Sequence, residues 1–359
     1  MTTPQFATPT PHAADSSRRL IYSLVLLLVV AGALYYAYVL SATRPTPVNE
    51  LETIGPFLAK AAQHQKLDDS YRDADGDLVA DAPSEPDKLQ KVDAIGFSMV
   101  AGDDPSQAQD EWQDFLQALE KATGKKVNYV AGLETQEAQL AALKLGTLHV
   151  TAFSTGEVPV AVNTAGFVPL ASPADAEGKY SYEMEILVPA ASSSRSPADL
   201  KGKTVAFTAM SSNSGAKAPL MILKNQFHLL PGRDYQHVMT GSHQRSIQGL
   251  AAGKYDAACV ANDLLATAVA AGDIRSDQYR SIYKSGSFPP LCLGIPHDLP
   301  PELSAQIKQV FQDFQFEGTS LAKRFGPQGK VRFAPLNYKR DWAQVRDIND
   351  ALARLADSR

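Results

Sequence analysis

The residue types best suited to hold a ligand lie in the middle of this chain, directly after an apolar, strand-like run over residues 205–207. Ser212, Asn213 and Ser214 follow that run, and Gly215 opens a helix-like stretch. A strand that leads into a helix in this way leaves backbone N–H groups unpaired and pointing outward. Together with the helix dipole and the hydroxyl groups, they can hold an oxyanion. The alternative is that these residues only form the turn and cap the helix.

A second junction of the same kind adds an imidazole. Residues 240–243 read Thr-Gly-Ser-His before another helix-like stretch. The ring N–H of His243 can donate to an oxyanion oxygen. Protonation of the imidazole, with an ordinary pKa of about 6.5, would strengthen that bond. Two such junctions predict the capture of a small oxyanion.

Catalysis is the less favoured interpretation of these residues. Ser212 and His243 could form a nucleophile and base, but no acidic residue that would orient the imidazole is evident. The Gly-x-Ser-x-Gly and His-Glu-x-x-His motifs do not occur in the sequence. A phosphate-binding loop is also absent, because Gly202-Lys203-Thr204 lacks the glycine five positions earlier that the loop requires. The sequence therefore predicts a protein that is not an enzyme and needs no cofactor.

Composition and charge narrow the class of ligand. The 359 residues suffice for two α/β domains, and 44% hydrophobic with 20% charged residues is ordinary for a globular protein. The formal charge of −5 and the lack of basic runs argue against nucleic acid. The two cysteines, Cys259 and Cys292, lie in apolar runs and are predicted to be buried free thiols, with a single disulfide as the alternative.

Residues 20–43 contain no charge and are preceded by Arg18 and Arg19. A helix of that length can span a bilayer core of about 30 Å, and the flanking charges favour a cytoplasmic N-terminus. The sequence therefore predicts a single-pass inner-membrane anchor, a disordered cytoplasmic tail over residues 1–19, and a folded part in the periplasm. A cleaved signal peptide is the alternative.

An acidic stretch lies in the predicted juxtamembrane linker, residues 44–91. It contains Asp73, Asp75, Asp77 and Asp81 around a glycine, and it resembles calcium loops of the dockerin or thrombospondin type-3 kind. The EF-hand pattern is absent because no glutamate occupies its twelfth position. The alternatives are a calcium site and a solvated acidic linker.

Strands and helices alternate from residue 93 onward. Strands are predicted over residues 94–100, 126–130 and 149–153, with helices over 106–123 and 134–145 between them. This rhythm predicts an α/β fold with a largely parallel sheet and helices on its faces. Aromatic residues in the first helix recur at helical spacing, which indicates core packing.

The alternation then occurs a second time. A strand over residues 180–188 leaves the first unit, residues 205–274 repeat the pattern, and a strand over 289–295 returns. We therefore predict two lobes, residues 92–190 plus 289–359 and residues 191–288. Two crossings form a hinge, and the cleft between the lobes is the expected ligand site.

Three segments resemble the substrate-binding proteins of phosphonate, phosphite and phosphate ABC importers, which have the two-lobed type II periplasmic-binding-protein fold. They are ALKLGTLHVTAF (142–153), DLKGKTVAF (199–207) and GSHQRSIQGLAAGKYDAACV (241–260). Their order and spacing make the resemblance specific, and it extends over residues 94–355. It implies a phosphate-class or phosphonate-class ligand and an ABC permease as partner.

The resemblance also implies ligand residues in the second lobe. The family's turn is commonly Ser-Thr-Ser-Gly, so Ser212, Asn213 and Ser214 are the corresponding residues here, with an amide in place of one hydroxyl. The family's ligand histidine matches His243, and its acidic residue matches Asp263. Asp263 could instead cap the helix that follows.

The first lobe departs from the family pattern. The family acid that is used with amino-bearing phosphonates falls at Leu291, and two family tyrosines fall at Gln136 and Phe153. Four polar candidates remain at helix starts, and turn chemistry explains them equally well: Thr135, Gln136, Ser154 and Thr155. The oxyanion half of the pattern is kept, and the half that contacts the organic substituent is not.

The leading functional prediction is a membrane-anchored, extracytoplasmic binding protein that delivers an oxyanion to an ABC importer. The alternative is a tethered sensor that signals through a partner protein, which a permanent anchor would favour.

Overall fold

A computed structural model describes residues 13–42, 66–99, 105–133 and 135–357. The chain consists of two compact units, Met1–Asn49 and Glu50–Arg359. In the first unit, helix α1 spans Ala13–Ala42, so it begins inside the tail that was predicted to be disordered. Alanine and arginine are strong helix formers, which extends the helix on this side. Residues 1–12 of that tail, residue 43 of the predicted anchor and residues 44–65 of the linker lie outside the described residues.

The predicted membrane anchor is not supported by the structure. Apolar side chains between Tyr22 and Tyr36 of α1 are exposed. Within the described ranges, however, no helix is both long enough and apolar enough to cross a membrane.

The described part of the second unit contains eleven strands in two sheets. They are β1 (Ala94–Ser98), β2 (Lys126–Tyr129), β3 (Val150–Phe153), β4 (Phe167–Ala174), β5 (Tyr182–Pro189), β6 (Thr204–Phe207), β7 (Gln236–Met239), β8 (Ala257–Ala261), β9 (Tyr279–Phe288), β10 (Cys292–Pro296) and β11 (Arg332–Pro335).

Helices cover the faces of these sheets. They are α2 (Pro105–Thr123), α3 (Gln136–Lys144), α4 (Val158–Ala165), α5 (Ala218–Phe227), α6 (His243–Ala251), α7 (Asn262–Ala271), α8 (Pro301–Asp313), α9 (Ser320–Phe325), α10 (Tyr338–Asp341) and α11 (Ala343–Asp357). A π-helical turn, Asn213–Lys217, precedes α5, and short 3₁₀ turns occur at Pro86–Lys88, Pro197–Leu200 and Gly326–Gln328.

The first lobe contains a six-stranded sheet with the order β11-β4-β10-β3-β1-β2. Strand β1 pairs in parallel with β2 and β3. Strands β10 and β11 are antiparallel to their neighbours. The sheet is therefore mixed and not largely parallel as predicted, because β10 returns from the other lobe in the opposite direction.

The second lobe contains a five-stranded sheet with the order β7-β6-β8-β5-β9. Strand β6 is parallel to β7 and β8, whereas β5 is antiparallel to β8 and β9. The pairing of β5 therefore assigns residues 182–189 to the second lobe, while the predicted boundary assigned them to the first. The chain crosses between the lobes over residues 175–181 and returns over residues 289–291.

An aromatic cluster forms the core of the first lobe. Trp112 and Phe115 of α2 are fully buried, and the Phe97 and Trp112 ring centroids are 5.2 Å apart. Phe333 of β11 packs against Phe115 at 5.4 Å. The helical spacing of aromatic residues in α2 is therefore confirmed as core packing.

The C-terminal helix reaches the second lobe. Val345 and Leu352 of α11 join one buried cluster with Leu220 of α5, although the sequence assigned this helix to the first lobe. The indole N–H of Trp342, just before α11, donates to the carbonyl oxygen of Thr155 at 3.0 Å. Cys259 and Cys292 are buried free thiols, as predicted.

Candidate functional site

A cavity of about 760 Å³ lies between the two lobes. Residues from both lobes line it. All nine predicted ligand residues are among them: Thr135, Gln136, Ser154, Thr155, Ser212, Asn213, Ser214, His243 and Asp263. The structure thus brings together side chains that are up to 128 positions apart in the sequence, from Thr135 to Asp263 (263 − 135).

The Ser-Asn-Ser-Gly turn opens the π-helical turn before α5. The Ser212 side chain caps it, because its Oγ accepts a hydrogen bond from the Gly215 backbone N–H at 3.0 Å. A Cβ atom at Gly215 would lie 1.8 Å from Oγ1 of Thr208, so only glycine fits there. Asn213 and Ser214 are buried at the edge of the cavity. The capping and ligand-holding interpretations of this turn are therefore compatible.

His243 is the first residue of α6 and faces the same turn. Its Nδ1 accepts a hydrogen bond from the backbone N–H of Ala261 at 3.2 Å. In a neutral imidazole the other nitrogen then carries the proton, and Nε2 lies 3.2 Å from Oγ of Ser212. Ser212 Oγ therefore accepts from both His243 and Gly215, and its own hydroxyl proton is left to donate to a ligand. Ser212, Asn213, Ser214 and His243 are called the oxyanion site below.

Burial shifts the pKa of two titratable groups that line the cavity, His243 and Asp263. Removal from water lowers the pKa of His243 to about 4, so the ring is neutral near pH 7 and donates as a neutral N–H. Burial also raises the pKa of Asp263 to about 6, against opposing effects of the Leu264 N–H and of Lys330. Asp263 Oδ1 accepts from the Leu264 N–H at 2.8 Å. His243 therefore meets a ligand as a neutral hydrogen-bond donor. The cavity lining also includes the cationic side chains of Arg245, Arg324 and Lys330.

The polar residues of the first lobe are held by their own partners. Thr135 caps α3, with Oγ1 accepting from the Ala138 N–H at 3.1 Å. Gln136 Oε1 accepts from the Ser154 N–H at 3.1 Å. Thr155 Oγ1 donates to the carbonyl oxygen of Pro289 at 2.8 Å, so its proton is used at the second crossing and is not offered to a ligand.

Tyr182 and Lys217 lie at or beside the site, although the sequence did not predict them. The Tyr182 hydroxyl lines the cavity and lies 3.5 Å from Nδ2 of Asn213. Lys217 is buried, and its Nζ donates to the carbonyl oxygen of Gly156 at 2.7 Å. Burial lowers the pKa of Lys217, with Glu157 acting in the opposite direction. Nothing in the local sequence distinguishes this lysine from an exposed helical one.

The acidic stretch lies outside this cavity. Asp73, Asp75 and Asp77 each offer one carboxylate oxygen within 4.8 Å of the others. Asp81 is not part of that group, and its Oδ2 accepts from the Ala74 N–H at 2.8 Å. Calcium binding by these residues stays a prediction of the sequence.

The geometry of Ser212 and His243 does not suit nucleophilic catalysis. A general base needs a free nitrogen lone pair that faces the nucleophile. Here the Ala261 N–H occupies Nδ1, and the proton on Nε2 points toward Ser212. The pair is therefore arranged to donate hydrogen bonds.

A family model for the periplasmic substrate-binding protein of phosphonate ABC transporters matches residues 97–342, more than half of the chain. The chain therefore belongs to this family. Its members bind a small ligand outside the cytoplasm and work with an ABC transporter; they are not enzymes.

Solved structures share the fold. PhnD1 from Prochlorococcus marinus in complex with methylphosphonate is 16% identical with a TM-score of 0.62, and the match covers 72% of this chain and 98% of that one. A binding protein component of an ABC phosphonate transporter from Pseudomonas aeruginosa is 15% identical with a TM-score of 0.59, covering 74% and 97%. A Xanthomonas citri protein bound to ATP is 14% identical with a TM-score of 0.59, covering 73% and 98%. At these identities the likeness shows the fold alone, the two-lobed type II periplasmic-binding-protein fold.

Proposed function

We propose that this protein captures a phosphonate, or a related phosphate or phosphite oxyanion, between its lobes and delivers it to an ABC permease. The observation that carries this proposal is the contact between Ser212 and His243 at the edge of the interlobe cavity. It brings a hydroxyl donor, an imidazole and two helix starts to one place. A tetrahedral oxyanion has several acceptor oxygens and suits such a convergent set of donors.

Hydrogen bonds alone can supply firm binding, apart from any contribution of Arg245 and Arg324, which also line the cavity. Each hydrogen bond to a charged group contributes about 1.5–3 kcal/mol net. The Ser212 hydroxyl, the Ser214 hydroxyl and the N–H groups of the π-helical turn are the candidate donors. Three or four such bonds contribute about 4.5–12 kcal/mol, a range that includes the roughly 8.2 kcal/mol of a micromolar Kd.

The test is calorimetric titration of the purified protein with methylphosphonate, phosphite, phosphate and sulfate. We expect at least one of the phosphorus oxyanions to bind with a Kd in the micromolar range or below, and sulfate to bind more weakly. If none of the three binds, the proposal is wrong. Ser212→Ala is the matched variant and should weaken binding, because it removes the hydroxyl donor together with the cap on the Gly215 N–H.

Transport is preferred to sensing. The family match favours a transport role, whereas a permanent anchor would favour the sensing alternative. The anchor over residues 20–43 stays a prediction of the sequence. Fractionation of cells that express the full chain, beside a chain that starts at residue 44, tests it: the anchor requires the full chain to sediment with membranes and the shorter one to stay soluble.

A further inference from the structure

One face of helix α7 lines the interlobe cavity along most of its length. The lining residues on this helix are Asp263, Leu264, Thr267, Ala268 and Ala271, which recur at the spacing of a single helix face. At 1.5 Å per residue, the stretch from Asp263 to Ala271 is about 12 Å long. A bare tetrahedral oxyanion would fill only a small part of it.

The helix starts at the oxyanion site and leads away from it. Its first residue directly follows Ala261, whose N–H donates to Nδ1 of His243. The C-terminal end of α7, at Ala271, therefore lies about 12 Å along the helix from Asp263. Phe325 and Gln328 of the first lobe also line the cavity.

The cavity is large although the two lobes are in contact with each other. Gln328 Nε2 of the first lobe donates to Thr267 Oγ1 of the second at 3.2 Å. Near the other end, Ser154 Oγ donates to the carbonyl oxygen of Ser211 at 3.5 Å. The lobes are therefore in contact at both of these places, and the volume of about 760 Å³ remains with those contacts made.

The wall that α7 presents beyond Asp263 is uncharged. Charged residues line other parts of the cavity, namely Glu137, Arg245, Asp273, Arg324 and Lys330. Of these, Arg324 pairs with Glu111, Lys330 donates to the Lys179 carbonyl oxygen and Asp273 accepts from Gln248. Leu264, Ala268 and Ala271 are apolar, and the Thr267 hydroxyl is used twice, since it accepts from Gln328 and donates to the Asp263 carbonyl oxygen at 3.2 Å. Leu291 adds a further apolar side chain. Such a wall favours an apolar ligand group, because each apolar atom that leaves water contributes to binding.

We propose that the ligand is a phosphonate or phosphate monoester with an extended, uncharged, mainly apolar substituent, which lies along the α7 face while its oxyanion occupies the oxyanion site. This inference rests on the proposed function, since it places the phosphorus group at Ser212 and His243. It adds the chemical class of the organic part.

The first test compares chain lengths by calorimetry on the purified protein. Octylphosphonate is expected to bind at least tenfold more tightly than methylphosphonate, because its methylene groups leave water along the helix. Ethylphosphonate is expected to bind better than 2-aminoethylphosphonate. Equal or weaker binding of octylphosphonate overturns the inference.

The second test places a bulky side chain in the cavity at the C-terminal end of α7. Ala271→Trp should remove most of the octyl advantage and leave the Kd for methylphosphonate within about twofold of wild type. Ala270→Trp is the matched control: it is exposed on the same helix and is not among the residues that line the cavity. An octyl advantage that is unchanged in Ala271→Trp, or equally reduced in both variants, overturns the placement along α7. The melting temperature of each variant verifies folding.

The outcomes separate the two proposals. If methylphosphonate binds but chain length has no effect, the inference about the substituent fails and the proposed function survives. If octylphosphonate binds and methylphosphonate does not, the substituent inference is supported. If neither they nor phosphate and phosphite bind, both fail.

Discussion

The ammonium group of Lys217 in the second lobe donates to the carbonyl oxygen of Gly156 in the first lobe at 2.7 Å. The two segments approach so closely that a Cβ atom on Gly156 would lie 2.4 Å from the Ser211 carbonyl oxygen and 2.9 Å from the Asn213 nitrogen. The turn that holds the oxyanion site therefore rests directly on the first lobe. Its position depends on the contact between the lobes as well as on its own sequence.

Gly156→Ala should disturb the oxyanion site without touching any polar group in it. The added methyl group meets backbone atoms that cannot move away freely, so we expect about 1–3 kcal/mol of destabilisation and at least tenfold weaker oxyanion binding. Gly286→Ala is the control, because a Cβ atom there has no atom within 4 Å. Calorimetry and thermal melting measure both effects. A Gly156→Ala protein with wild-type affinity would show that this contact does not position the site.

His243→Ala should weaken oxyanion binding at least tenfold. The substitution removes the donor to Ser212 and leaves the Ala261 N–H without its acceptor, so the melting temperature should fall by only a few degrees. His237→Ala, on strand β7 and outside the cavity-lining set, serves as control. Because Ser212 and His243 are in contact, the losses from Ser212→Ala and His243→Ala should not add in the double variant. Full additivity would mean that the two side chains act separately.

Asn213→Thr should change which oxyanion is preferred. It replaces an amide, whose Nδ2 lies 3.5 Å from the Tyr182 hydroxyl, with the hydroxyl that the family commonly carries at this position. We expect the ratio of the methylphosphonate and phosphate Kd values to change at least threefold. Asn128→Thr, exposed on β2, is the control. An identical ligand ranking would show that residue 213 does not discriminate between ligands.

Asp263 should make both binding and stability sensitive to pH. Burial raises its pKa from 3.8 to about 6, so its contribution to stability is complete below pH 3.8 and is lost as the pH rises through 6. Ionisation also adds a negative charge beside the oxyanion site, which should weaken anion binding. The ligand also ionises, so the wild-type Kd is compared with the Kd of Asp263→Asn in the same buffers. The ratio of the wild-type Kd to the Asp263→Asn Kd should rise between pH 5 and pH 7, about one unit on either side of that pKa. Asp277→Asn, at an exposed carboxylate, should leave the ratio unchanged; a flat ratio for Asp263→Asn contradicts the prediction.

Periodicity made the alternating elements predictable. Helix α2 and strands β1 to β3 fall within a few residues of their predicted positions, because each has a regular apolar pattern. Helix α4 and strand β4 were not predicted, since residues 158–174 are apolar almost throughout and show no period that would distinguish a helix from a strand.

The candidate site was predictable in its residue types and less so in its arrangement. The helix starts at residues 212–215 and 243 carry capping residues that are visible in the sequence. The contact between Lys217 and Gly156 joins positions 61 apart, and local sequence carries no signal for it. The amphipathic pattern of α11 likewise shows that one face is buried, but not that the second lobe buries it.

The bond between Trp342 and the Thr155 carbonyl oxygen gives the molecule a built-in optical probe. The chain has two tryptophans; Trp112 lies in the aromatic core of the first lobe, whereas Trp342 is bonded to a residue that borders the cleft. Any shift of the segment around Thr155 when a ligand binds alters the surroundings of the Trp342 indole. Its fluorescence emission, isolated in a Trp112→Phe background, can therefore follow capture and release in stopped-flow experiments without an attached dye.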